Sequence, residues 1–321
     1  MGQQLDLIIF GGTGDLSTRK LLPALFQLHR HGLAGSLQRI IATGRGELDT
    51  ASFLQQVEQN LQRFLPPETW DEAIWENFRG KLHYCKVDAA DSADYLSLNE
   101  LLGPCADAVR LYYLATLPSL YGEICSRLQT AGAVDGHSRV VLEKPLGHDL
   151  QSCHRINEEV GGVFGEEATF RIDHYLGKET VQNLLALRFG NPLFHPMWNN
   201  TFVSNVQITV AEDIGVEGRG SYYAKIGALR DMVQNHMLQV LSIVAMEPPA
   251  SLRPGDIRDE KMKVLRALEP ITAVNVKQRT VRGRYHAGAV NGEAVRGFLD
   301  EAEYQDAEST ETFIALKAHI N

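Results

Sequence analysis

The run Asp173-His174-Tyr175-Leu176-Gly177-Lys178 sets a carboxylate, an imidazole, a phenol and an ammonium within six residues. An apolar, alternating run ends at Asp173, and a helical pattern starts near Lys178 and carries on to Phe189. That is a strand, a loop and a helix start. Backbone N–H groups without helical partners, together with the helix dipole, favour an anion at such a start. His174, Tyr175 and Lys178 add donors and positive charge, a set suited to a phosphate monoester. A surface turn with a solvated lysine is the plainer reading.

A second run, Arg230-Asp231-Met232-Val233-Gln234-Asn235-His236, lies inside an apolar helical pattern over residues 224–246. On an ideal α-helix, residues five apart point about 140° away from each other. Asp231 and His236 are therefore expected to flank a ligand rather than to pair. His236 would take its orienting carboxylate from elsewhere, such as Asp173. Among Met232, Val233, Met237 and Val240 it also reads as a satisfied core histidine. Glu212 ends an alternating run over 201–211 that reads as a half-buried strand. Its carboxylate can accept from hydroxyls or simply be solvated.

The first half supplies a different kind of chemistry. The apolar run at 5–10 leads into Gly11-Gly12-Thr13-Gly14-Asp15-Leu16, followed by a helical pattern. Strand, glycine turn and helix present backbone N–H groups to a pyrophosphate. The spacing is Gly-x-x-Gly, half of the full dinucleotide fingerprint, and no Gly-Lys-Ser/Thr follows to make a P-loop. Further apolar runs at 39–43, 81–87, 110–117 and 138–142 alternate with helical patterns at 53–64, 95–102 and 120–130. Such alternation means a parallel sheet with helices on both faces. Arg45 stands just past the second strand, where NAD-specific folds place an acid. A guanidinium there suits the 2′-phosphate of NADP, or is a solvated surface arginine. Asp88, after the third strand, can reach an adenosine or cap its own loop. Lys144 precedes Pro145 after the fifth strand; it can bridge cofactor and substrate, or mark a strand end with an exposed lysine.

Composition sets the frame. The chain has 321 residues, 44% hydrophobic and 22% charged, enough for two globular domains. A net charge of −9 argues against nucleic acid as a general partner. Of four cysteines none forms a Cys-x-x-Cys pair, so no zinc or redox motif is signalled and no metal is expected. No apolar run is long enough to span a membrane and no signal peptide precedes the first strand, so a reducing cytoplasm is the default. The expected fold class is α/β: a Rossmann-like doubly wound parallel sheet over residues 1–172, then an incomplete α+β domain over 173–321 with a mainly antiparallel sheet. Helices at 149–162 and 257–268, strands at 276–285 and 312–320, and an acidic loop at 300–309 complete the pattern.

The run Arg171-Ile172-Asp173-His174-Tyr175-Leu176-Gly177-Lys178-Glu179 resembles the signature of the glucose-6-phosphate dehydrogenase family. The resemblance extends along essentially the whole chain. It includes Gly11–Leu16, Arg19-Lys20-Leu21-Leu22-Pro23-Ala24-Leu25, Glu143-Lys144-Pro145-Leu146-Gly147, the run 230–236 and Arg258-Asp259-Glu260-Lys261, in the family's order. Ser17 stands where the family commonly has Ala. The resemblance implies oxidation of glucose 6-phosphate at C1 with NADP. His236 would be the base and Asp173 its orienter; His174, Tyr175 and Lys178 would hold the phosphate, and Glu212 and Asp231 the ring hydroxyls. Lys144 would sit between sugar and cofactor, and Arg45 would face the 2′-phosphate. A homo-oligomer, dimer or tetramer, is implied as well. Family members continue beyond residue 321 with a further substrate-contacting lysine and more strands. An exposed sheet edge and reduced activity are therefore expected, with an NADP-binding fragment or sensor as the alternative. The short-chain dehydrogenase reading fails because Tyr175 and Lys178 are Tyr-x-x-Lys, and a zinc dehydrogenase lacks its cysteines.

Overall fold

In the computed structural model, six short apolar runs pair into one parallel sheet. They are β1 (Leu5–Phe10), β2 (Leu37–Gly44), β3 (Leu82–Lys86), β4 (Val109–Leu114), β5 (Arg139–Leu142) and β6 (Thr169–Arg171). The structure describes residues 4–103, 108–212, 215–216, 220–300 and 309–321. The chain divides into two compact units, Met1–Ile172 and Asp173–Asn321.

In the first unit the strand order is β3-β2-β1-β4-β5-β6, a doubly wound order that reverses at β1. Successive side chains of a strand face opposite sides. Leu7 and Ile9 therefore pack under α1 (Leu22–Arg30), α2 (Thr50–Phe64) and α3 (Glu72–Arg79), against Phe26, Phe53 and Trp75. Ile8 and Phe10 pack on the other face under α4 (Ser92–Leu102), α5 (Tyr121–Thr130) and α6 (Leu150–Gly161), against Tyr95, Tyr121 and Ile156. Asp49, Asp71, Asp91 and Asp149 each accept a first-turn backbone N–H of the helix that follows. Each such cap contributes about 1 kcal/mol.

The second unit opens with the loop at 173–178 and α7 (Glu179–Phe189). The apolar pattern at 224–246 predicts one long helix, but the structure divides it in three. α8 (Gly220–Ala228) is interrupted at Gly227, whose φ of 70° is left-handed. A π-helical segment (Leu229–Met237) follows, and then α9 (Leu238–Ala245). Glu311 restarts the helix: its carbonyl accepts from Ala228 N–H at 3.0 Å and its carboxylate from Leu229 N–H at 2.9 Å. A partner more than eighty residues away cannot be read from local periodicity. The next elements are α10 (Pro254–Ala267), α11 (Val276–Arg279), β7 (Thr280–Gly283), β8 (Gly288–Val290), β9 (Glu293–Val295) and β10 (Phe313–Leu316). β7 pairs with β10 and β8 with β9, both antiparallel.

Two expectations need correction. Residues 201–211 alternate in sequence yet form no strand, and Phe202 is 67% exposed. Alternation encodes a face, but a strand also needs a neighbour to take its N–H and C=O groups, and none pairs with it among the described residues. The run at 276–285 starts as a helical turn and becomes extended only at Thr280. The expected acidic loop lies almost wholly outside the described residues.

Arg188 fixes α7 on α9. It is buried, and its planar fork donates to the Ile243 and Met246 carbonyls, with 2.8 Å to Met246. Those are carbonyls at the end of α9 that no helical N–H reaches. Val181 and Leu184 pack on Val240 and Val244 beside it. Arg188→Met, which keeps apolar bulk and loses the fork, is expected to lower unfolding free energy by about 2–4 kcal/mol. Urea unfolding monitored by tryptophan fluorescence measures this; an unchanged midpoint would contradict the assignment.

Candidate active site

The loop after β6 is a series of tight turns. Leu176, Gly177 and Lys178 N–H groups donate back to the carbonyls of Asp173, His174 and Tyr175. Asp173 also accepts from its own Tyr175 N–H at 2.9 Å. That Asx turn is what a carboxylate at a strand end does well. Lys178 is the residue that starts α7, and it offers no side-chain cap. Val181 N–H donates to the Lys178 carbonyl at 2.9 Å, which leaves the Glu179 and Thr180 N–H groups to an outside acceptor, and an anion suits them.

His236 comes from the π-helical segment and is fully buried. Its Nδ1 meets Asp173 Oδ1 at 2.6 Å. With Asp173 ionised, Nδ1 donates and Nε2 is left as the basic nitrogen. The Tyr175 ring stacks on the imidazole, centroids 4.3 Å apart and planes 20° apart. The exposed His174 ring stands edge-on to it at 4.5 Å. Lys178 Nζ sits 3.6 Å from the Tyr175 ring centroid. The structure therefore gathers Asp173, His174, Tyr175, Lys178 and His236 into one cluster inside the second unit.

Helix register decides where Asp231 goes. The α-helical estimate of about 140° fails because residues 229–237 bond i→i+5, so residues five apart stack one turn above another. Asp231 and His236 thus share a side of this segment. The Tyr223 hydroxyl, which sequence reading overlooked, is pushed up to about 12 by burial and by the carboxylates of Asp231, Glu311 and Glu212. Glu212 and Asp231 thus act electrostatically on one phenol. Glu212 itself is exposed.

Lys261 on α10 is a second residue whose place no local pattern gives. Burial lowers its ammonium pKa and Arg258 adds to this, while the nearby Asp173 charge opposes both. The sequence signal was only its membership of the Arg258–Lys261 run. Asp173, His174 and His236 also bring one nitrogen or oxygen each within 4.8 Å of one another, a donor set that the cysteine count did not signal. Asp173 Oδ1 and His236 Nδ1 are already bonded to each other.

In the first unit the other residues line the carboxyl edge of the sheet. Gly11 follows β1 with a φ of 79°, and a Cβ there would lie 2.5 Å from the Ala115 carbonyl oxygen. Gly12 is equally close to Ala42, while Thr13, Gly14 and Asp15 are exposed and Leu16 is half-buried. Gly14 N–H closes the turn on Gly11 O at 2.9 Å, and the buried Ser17 hydroxyl donates to the same carbonyl at 2.8 Å. Asp15 pairs with Arg19. Arg45 is exposed at the end of β2, on a turn held by Tyr84, whose hydroxyl donates to Gly44 and Gly46 carbonyls. Asp88 accepts from Ala90 N–H at 2.9 Å, the loop-capping bond. Lys144 follows β5 and its bond to Pro145 is cis.

Asp173 gives the cluster a pH signature. Burial pushes its carboxyl up. The bonds from His236 and the Tyr175 N–H, and the charge of both imidazoles, outweigh this and hold it below the ordinary 3.8. A carboxyl lowered on folding adds stability that is complete above the ordinary value and is lost as pH falls through the folded one. The stability gap between the chain and its Asp173→Asn variant should therefore shrink between about pH 5 and pH 3. Urea midpoints across that range test it; a constant gap would refute it.

Comparison with known proteins identifies the family. Residues 8–183 match the family model described as glucose-6-phosphate dehydrogenase, NAD binding domain, and residues 185–321 match glucose-6-phosphate dehydrogenase, C-terminal domain. The chain is 47% identical over 319 residues to glucose-6-phosphate 1-dehydrogenase of Rhizobium meliloti, covering 99% of this chain and 65% of that protein. It is 48% identical over 319 residues to that of Mycolicibacterium smegmatis, covering 98% and 64%. A solved glucose-6-phosphate dehydrogenase in complex with its substrate glucose-6-phosphate superposes with a TM-score of 0.88 at 36% identity, covering all of this chain and 67% of that one. The chain thus spans about 65% of the length of the curated relatives it matches. Two matched domains in order, and identity sustained from end to end, place this chain in the glucose-6-phosphate dehydrogenase family.

Proposed function

We propose that this chain carries the machinery to oxidise glucose 6-phosphate at C1 to 6-phosphoglucono-1,5-lactone, with NADP as hydride acceptor. The observation that carries the reading is the buried His236 bonded to Asp173 beside the cationic loop of Lys178. Oxidising an alcohol requires the hydroxyl proton to leave as the C–H hydride leaves. His236 Nε2 takes that proton, and Asp173 stabilises the imidazolium that results. His174, Lys178 and the Glu179 and Thr180 N–H groups of α7 hold the phosphate dianion. The Tyr175 hydroxyl is buried with no partner among the described residues, a donor suited to a phosphate oxygen. Asp231 and Glu212 accept from ring hydroxyls. Binding the phosphate far from C1 spends remote affinity on orienting the reacting carbon.

The dinucleotide is assigned to the first unit. Bound NADP supplies the hydride-accepting ring. The Gly11–Gly14 turn fits a pyrophosphate because its backbone is bare where side chains would stand. Arg45, held out on the Tyr84-clamped turn, pairs with a 2′-phosphate. Thr13, Asp15 and Leu16 flank the phosphates, and Lys144, after β5, belongs to the same carboxyl edge. Asp88 is the weakest member, since its carboxylate already caps its own loop. Self-association belongs to the same proposal, supported by the exposed Val281 and Phe313 on the β7–β10 ribbon. So does a cytoplasmic setting, supported by the free thiols of Cys85, Cys125 and Cys153. No helix among the described residues is long and apolar enough to cross a membrane.

Absorbance of the reduced nicotinamide tests the reading. Glucose 6-phosphate with NADP should give turnover, and unphosphorylated glucose far less. His236→Asn should lower kcat by at least about 100-fold while NADP affinity is kept; retained turnover removes it as the base. Arg45→Ala should weaken NADP by about tenfold or more and leave NAD unchanged. NADP binding without any turnover would favour the sensor reading instead.

A further inference from the structure

The Asp173 contact aims His236 Nδ1, and the plane of the ring is set by its broad χ2 torsion. A tilt swings Nε2, the nitrogen that must meet the substrate hydroxyl. Tyr175 bears on that plane. Its ring lies 20° from parallel to the imidazole at 4.3 Å, while the His174 ring closes the edge at 4.5 Å. The Tyr175 ring is itself held: it is 4% exposed, and Lys178 Nζ stands 3.6 Å from its centroid. The ammonium and the near-parallel imidazole both bear on this one ring.

We propose that Tyr175 is a positioning residue for the base, its ring setting the plane of the His236 imidazole while its hydroxyl meets the phosphate, so that one side chain ties phosphate binding to base alignment. This rests on the reading of His236 as base and goes beyond a phosphate-contact role for Tyr175. The ring and the hydroxyl do separable jobs. The ring is a flat, electron-rich face that suits an imidazole gaining positive charge. The hydroxyl is a lone buried donor at the far end.

Two variants separate the jobs. Tyr175→Phe keeps the ring and loses the donor. Its kcat should stay within about threefold of the parent, while KM for glucose 6-phosphate rises about tenfold, the effect of one lost bond to a charged oxygen. Tyr175→Leu loses the ring as well, and kcat should fall a further 30-fold or so, the scale of a misaligned reacting group. The downfield proton resonance of His236 Nδ1–H gives a readout that needs no turnover. It should persist in the parent and in Tyr175→Phe, and broaden away in Tyr175→Leu, with circular dichroism showing an intact fold. If Tyr175→Leu does not fold, Tyr175→Phe alone decides: a kcat loss beyond tenfold with unchanged KM overturns the proposal. Equal kcat and equal resonance in the Phe and Leu variants overturns it too. If the parent shows no turnover of glucose 6-phosphate, the functional reading fails on its own, and the resonance comparison still judges the stack.

Discussion

The bond between Asp173 and His236 is the constraint on which the second unit is organised. It joins a loop that follows a strand to a helix 63 residues further on. Burying an imidazole completely is costly unless its nitrogens are satisfied, and a carboxylate held ionised is the partner that satisfies Nδ1 best. Everything near the bond serves to keep it. The Asx turn holds the carboxylate, the Tyr175 ring covers the imidazole, and Arg188 fixes α7 to α9 so that loop and helix stay in register.

The charges around that bond oppose one another. Asp173 is one anion facing two imidazoles, with the half-buried Lys261 also within its field. Positive charge gathered about one carboxylate keeps it ionised at any pH near neutrality. The exposed Lys178 leaves the loop electropositive towards solvent. A dianionic ligand is drawn to such a corner, and a neutral one is not.

Much of this was legible from residues alone where the signal is local. The strand–glycine–helix turn at 11–16, the alternation of strands and helices, and the helix start at Lys178 all lie within one or two turns of the residues that encode them. What was not legible depends on distant partners. The break at Gly227 is made by Glu311, the Arg45 turn is clamped by Tyr84, and the Lys261 charge acts on Asp173 from another helix. The 201–211 run shows the same limit from the other side, since its alternation is real but no pairing edge meets it. The pairing of His236 with Asp173 was within reach because buried histidine needs a carboxylate and the loop offered one.

The π-helical segment Leu229–Met237 has a consequence for how this region can change. A stretch wound with one extra residue per turn is an α-helix carrying a surplus residue. Removing any one residue between Leu229 and Asn235 would let the segment relax to the commoner winding. One α turn would then replace one π turn, so the residues on either side would keep nearly the same angular relation and only the turn itself would shorten. Such a segment can give back one residue without turning α9 against its neighbours.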